Sequence, residues 1–156
     1  MNRRQLLATA SVAAGLPVLG RIGSSVAQTT EGFVHVFYGG NGTTAVDSGL
    51  PRVGTIFGIA PDGDLHWYRY GGQGEDDPSG SLGWHANSGN PIGNGWQGMR
   101  HVFGGSSDAD GFHGVVYGVD RDGFLHWYAY DGHGERDRSG ALGWRANSGN
   151  VVGNGW

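Results

Sequence analysis

The chain has 156 residues, 33 of them glycine and none cysteine, with 15% charged and 12% aromatic side chains. So much glycine opposes a helical bundle, because glycine costs roughly 1 kcal/mol relative to alanine inside a helix, while six Trp, six Tyr and six Phe oppose disorder. The lack of cysteine excludes disulfides and Cys-ligated metal, and a net charge of −4 without a single lysine offers no basic footprint for nucleic acid or an anionic membrane.

The first 27 residues read as an export signal. Arg3 and Arg4 make a basic start, an apolar stretch runs over 6–20, and Ser25-Val26-Ala27 is a small-x-small cleavage pattern. The stretch is shorter than the ~20 residues a membrane span needs, and it contains Gly15 and Pro17. Arg-Arg-x-Leu-Leu resembles a twin-arginine signal; the alternative is an ordinary secretory signal with two arginines. Both readings predict a secreted protein without a membrane span. Removing 1–27 takes away Arg3, Arg4 and Arg21 and no acid, so the charge of −4 becomes −7.

The rest is one repeat written twice. Residues 56–96 align with 116–156 without a gap, and 26 of the 41 positions are identical. Each segment follows a His-Val-Phe triplet, at His35 and at His101. The chain therefore divides into a first module, 28–98, and a second, 99–156. A fixed period of this size points to a solenoid, a propeller or an array.

Within each module the strand signals come in the same order. Short apolar runs at 33–37 and 100–103 are followed by β-rich runs at 55–60 and 115–120. Asp62-Gly63 and Asp122-Gly123 then supply hairpin turns into strands at 64–70 and 124–130. A Gly/Asp/Ser loop precedes a shorter candidate strand at 82–86 and 142–146, and 87–96 and 147–156 read mostly as loop. Leu65 and Trp67 alternate with His66 and Tyr68, so neither face of that sheet is simply polar. The expectation is an all-β fold: a partial β-propeller of two blades, each a three- to four-stranded antiparallel sheet covered on both sides by its neighbours.

Trp84-His85-Ala86 and Trp144-Arg145-Ala146, together with the Gly-Asn-Gly-Trp runs ending at Trp96 and Trp156, carry a resemblance. With the Val-Phe strand and the Asp-Gly-x-Leu hairpin in the same order, the chain from about Phe33 to Trp156 resembles the tachylectin-2 type of β-propeller lectin. The resemblance implies a five-bladed propeller that binds N-acetylglucosamine or N-acetylgalactosamine between adjacent blades, without catalysis or cofactor. The chain departs from the family in three ways. Leu82-Gly83 and Leu142-Gly143 replace an Asp-Asn pair, the repeat is longer by a loop, and there are two modules instead of five.

Neutral sugar recognition needs an aromatic face for the ring's C–H patch and fixed amides for its hydroxyls. Trp84, Asn87, Asn90 and Asn94, with Trp144, Asn147, Asn150 and Asn154, supply both. In the competing reading the asparagines fill left-handed turn positions and the tryptophans pack between blades. No local catalytic signature accompanies His66 or His126. Asp120-Arg121-Asp122-Gly123 reads as a hairpin turn, since Ala60 stands where a calcium loop would repeat Asp120. No metal site is expected.

The function expected from sequence is thus a secreted, non-catalytic carbohydrate-binding protein. The rivals are a structural or protein-interaction propeller fragment without sugar binding and a propeller-type glycoside hydrolase. Two blades leave sheet edges and apolar faces open. The chain stops where a further opening strand is due, so the expectation is either a longer parent protein or a homo-oligomer that closes the ring.

Overall fold

The computed structural model describes residues 32–42, 53–72, 74–105 and 114–156. The export signal expected at 1–27 lies outside the described residues. The first module forms a sheet of four strands in chain order, β1 (His35–Gly42), β2 (Val53–Ile59), β3 (Leu65–Tyr70) and β4 (Asn90–Gly93). The second repeats it with β5 (His101–Gly105), β6 (Gly114–Val119), β7 (Leu125–Tyr130) and β8 (Asn150–Gly153). Every neighbouring pair is antiparallel. A 3₁₀ turn at Trp96–Gly98 leads from the first sheet to the second. Among the described residues no helix is long and apolar enough to cross a membrane.

The hairpins form where the Asp-Gly signals stand. The amide of Asp64 donates to Asp62 Oδ1, and the amide of Gly63 donates to the Ala60 carbonyl. The registers of the two sheets match: Phe57 faces Trp67 and Ile59 faces Leu65, as Tyr117 faces Trp127 and Val119 faces Leu125.

The fourth strand differs from expectation. The run 82–86 makes a single bridge, Trp84 to Tyr70, and 142–146 makes only Trp144 to Tyr130. Gly83 and Gly143 take φ of 74° and 75°, which interrupts an extended path there. The strand lies instead at Asn90–Gly93 and Asn150–Gly153, inside the stretch read as loop. Ser88 and Ser148 bring it back to the sheet. The Ser88 hydroxyl accepts from the Arg69 amide and donates to the Arg69 carbonyl, and Ser148 does the same at Ala129.

Leu65 pairs with Gly93 but His66 with Pro91, so Ile92 is an extra residue in β4, a bulge that repeats at Val152 in β8. Bulges bend a strand and re-aim its side chains. Ile92 is fully buried in the core between the sheets.

The sheets stack face to face, with β1 against β5 and β6. Phe57, Leu65, Trp67, Ile92 and Trp96 from the first meet Val102, Val116, Tyr128 and Tyr130 from the second. Full burial of such side chains stabilises by roughly 1.5–3 kcal/mol each. The opposite faces, expected to be covered as well, are open in the single chain: Val36 and Trp84 on one side, Val152 and Trp156 on the other, are exposed.

Candidate functional site

A cavity of about 390 Å³ opens where the Gly93-Asn94-Gly95-Trp96 turn of the first module faces the second sheet. Ligand sites for small molecules begin near 300 Å³. Its wall is aromatic: Trp96 and Tyr128 lie 4.7 Å apart between ring centroids, Trp96 and Trp144 6.0 Å, and Tyr128 and Trp144 5.9 Å. Met99 adds a further apolar surface, and Asn94, Ser139 and Arg145 line the cavity with polar groups.

Each wall residue is fixed by the fold. Tyr128 points to this face because it alternates with Trp127 along β7. The Trp144 indole donates to the Ile92 carbonyl at 2.8 Å, across the two sheets. Ser139 sits on a loop organised by Asp137, whose carboxylate accepts from the Ser139 amide at 3.0 Å and the Leu142 amide at 2.6 Å. The Asp137 amide donates to the Pro91 carbonyl, pinning that loop to the first sheet. The same bonds, led by the Ser139 hydroxyl, hold the Asp137 carboxyl below the usual carboxylate range.

Electrostatics reinforce the junction at its outer edge. Arg138 Nε lies 2.7 Å from Asp64 Oδ1 and its Nη2 3.1 Å from Asp62 Oδ2, one module gripping the other. Within the second module Arg145 pairs with Asp131 at 3.0 Å. Burial, and then the charge of Asp120, raises the Tyr128 phenol above its ordinary pKa, so it keeps its proton and can donate.

Of the eight residues singled out from sequence, the cavity brings together Asn94 and Trp144. Asn87 Nδ2 donates to the His133 carbonyl at 2.8 Å, and Asn90 Nδ2 to the Gly134 carbonyl at 2.9 Å. Asn90 Oδ1 also accepts from Arg136. These two amides fasten the modules together. Trp84 lies on the open face of the first sheet, against Tyr68 and Tyr70 and beside a shallow groove of about 180 Å³. Asn147, Asn150 and Asn154 are exposed and line neither the cavity nor the groove.

Sequence reading missed Trp96, Met99, Tyr128, Ser139 and Arg145 as cavity residues. A signal was present for Trp96: the closing Gly-Asn-Gly-Trp of one module precedes the opening strand of the next. Comparison of the chain with protein-family models, curated proteins and solved structures found no match.

Proposed function

We propose that this is a secreted carbohydrate-binding protein of the tachylectin-2 kind, its two sheets acting as propeller blades and its inter-sheet cavity binding an N-acetylated amino sugar without turnover. The observation that supports this most is the cavity itself. It offers a Trp/Tyr wall for the apolar C–H face of a pyranose and a rim of amide, hydroxyl and guanidinium for its hydroxyls. Met99 and Trp96 provide an apolar niche suited to an acetamide methyl, and Asn94 an amide to pair with its polar end. The resemblance read from Trp144-Arg145-Ala146 and Gly-Asn-Gly-Trp implies sugar sites between adjacent blades, and this cavity is lined from both sheets.

The test is a glycan array followed by titration with N-acetylglucosamine and N-acetylgalactosamine, read by tryptophan fluorescence. The expected affinity for a monosaccharide is roughly millimolar, about −4 kcal/mol. Asn94→Ala is expected to weaken it about tenfold, the worth of one or two hydrogen bonds, with the unfolding midpoint unchanged. A folded protein that binds no saccharide overturns the reading in favour of a structural or protein-interaction fragment. Turnover of a chromogenic glycoside overturns it in favour of a hydrolase.

A further inference from the structure

We infer that a second copy of the chain docks head to tail on the first, laying the open face of its second sheet on the open face of the first sheet and completing a second cavity there. The contact between the two sheets of one chain has two unlike halves, and both halves recur uncovered on the two outer faces. On the first sheet Ile92 is 0% and Trp96 6% exposed; their counterparts on the second, Val152 and Trp156, are 54% and 61% exposed. On the receiving side Val102 is 8% exposed while its counterpart Val36 is 57% exposed. Tyr68 and Trp84 repeat Tyr128 and Trp144, and the groove beside them is apolar. Three apolar groups that are buried where the halves meet are thus solvated where they do not.

The edge of the contact carries an independent sign. Within the chain Asp64 of the first module pairs with Arg138 of the second. The counterpart of Asp64 is Phe124, and the counterpart of Arg138 is Pro78. Arg138 and one of its two acids have therefore become apolar in the other module, while Asp122 keeps the acid of Asp62, at positions that face each other only if a second sheet meets a first sheet from another copy. Phe124 is exposed, as that arrangement requires before docking. The neighbouring Asn90–Arg136 contact becomes Asn150 opposite Asp76, where the amide donates instead of accepting. A partner of unrelated sequence gives no reason for these matched replacements.

The interface is heterologous, so it propagates and can close into a ring. Two, three or four copies give four, six or eight sheets, within the range of roughly four to eight that propellers occupy. The second cavity takes Tyr68 and Trp84 from one copy and Asn154 and Trp156 from the next. This assembly does not depend on the cavity binding saccharide.

Sedimentation velocity on the full chain tests it. The parent is expected to assemble, and Trp156→Asp to weaken assembly at least tenfold by placing a charge at an aromatic anchor. Phe124→Asp and Pro78→Arg each put into one module the residue that the other already holds on the same backbone, so both variants fold. Phe124→Asp alone is expected to weaken assembly about tenfold, and the double variant to recover to within about threefold by recreating the Asp64–Arg138 pair between copies. A parent that stays monomeric across concentrations overturns the proposal. Assembly indifferent to Trp156→Asp overturns it too, and gives these faces to a different occupant. A double variant no better than Phe124→Asp alone overturns the register.

Discussion

The indole of Trp144 and the carbonyl of Ile92 are joined by a 2.8 Å hydrogen bond that runs from one module to the other. Ile92 is the bulged residue of β4, so its carbonyl is aimed across the gap and its side chain into the core. Trp144→Phe keeps an aromatic ring and removes the donor, leaving the Ile92 carbonyl without that partner at a half-buried junction. The expected loss is about 1 kcal/mol in urea unfolding, the net worth of one hydrogen bond. Trp84→Phe, measured in the Trp156→Asp background where the chain stands alone, is expected to cost less than about 0.5 kcal/mol. Equal losses at both positions would deny the cross-module bond its role.

His126 sits between two acceptors. Its Nδ1 meets the Gly149 carbonyl at 2.9 Å and its Nε2 the Asp120 carboxylate at 2.9 Å. Both ring nitrogens can donate only in the imidazolium, so the Gly149 carbonyl first and Asp120 second raise the pKa. The stabilisation is complete below the unfolded value of about 6.5 and is lost as pH rises through the higher folded value. Asp120 shifts the other way, held down chiefly by His126. Its contribution is present above the ordinary carboxylate range and is lost as pH falls through the depressed folded value. An NMR titration is expected to place the His126 midpoint above 6.5, and Asp120→Ala to lower it. A midpoint unmoved by that substitution would refute the assignment.

Much of the first module was legible because its signals are local. Asp62-Gly63 and the alternation from Leu65 to Tyr70 are contained in a dozen residues, and both became what they predict. The fourth strand was not legible, since Asn90-Pro91-Ile92-Gly93 has the composition of a loop and pairs with β3 across more than twenty residues. The site was harder still. Trp96 and Trp156 end the same Gly-Asn-Gly-Trp run, yet one is buried and the other exposed. Asn87 and Asn90 looked like ligand groups, but their partners at His133 and Gly134 are 46 and 44 positions away. Packing between the modules decides these roles, and the residues the two repeats share carry no local trace of which face a neighbour covers.

Asp77 organises its loop as a hub. Its carboxylate accepts from the Ser79 amide at 3.1 Å, the Ser81 amide at 2.6 Å and the Leu82 amide at 2.6 Å, besides the Ser79 hydroxyl. The Ser79 hydroxyl first, then the Leu82 amide, bring its pKa down to about 2. A depressed carboxylate stabilises the fold above its unfolded value, about 3.9, and the effect is lost as pH falls towards about 2. Hydrogen exchange at the Ser81 and Leu82 amides is expected to stay slow down to about pH 4. Asp77→Asn is expected to speed it roughly tenfold at neutral pH as the loop opens locally. Unchanged exchange in that variant would show the loop to be held by other contacts.

Gly134 is fixed from four sides. It has φ of 71°, its amide donates to the Tyr130 hydroxyl at 3.1 Å, and its carbonyl accepts from Asn90. A Cβ there would lie 2.2 Å from the Trp67 ring. Gly134→Ala therefore adds overpacking, about 1–3 kcal/mol, to the left-handed backbone penalty of about 1–2 kcal/mol. Gly74 has the same hydrogen bond to Tyr70 and φ of 79°, with nothing within 4 Å of a Cβ. In the dissociated Trp156→Asp chain, Gly74→Ala is expected to cost the backbone penalty alone. Placed in the parent, the same substitution meets Trp127 of a docked copy, as Gly134 meets Trp67, and is expected to weaken assembly at least tenfold. Denaturant unfolding and sedimentation on the two variants separate these effects. Equal destabilisation in the isolated chain, with assembly untouched in the parent, would break the correspondence between the inner and outer contacts.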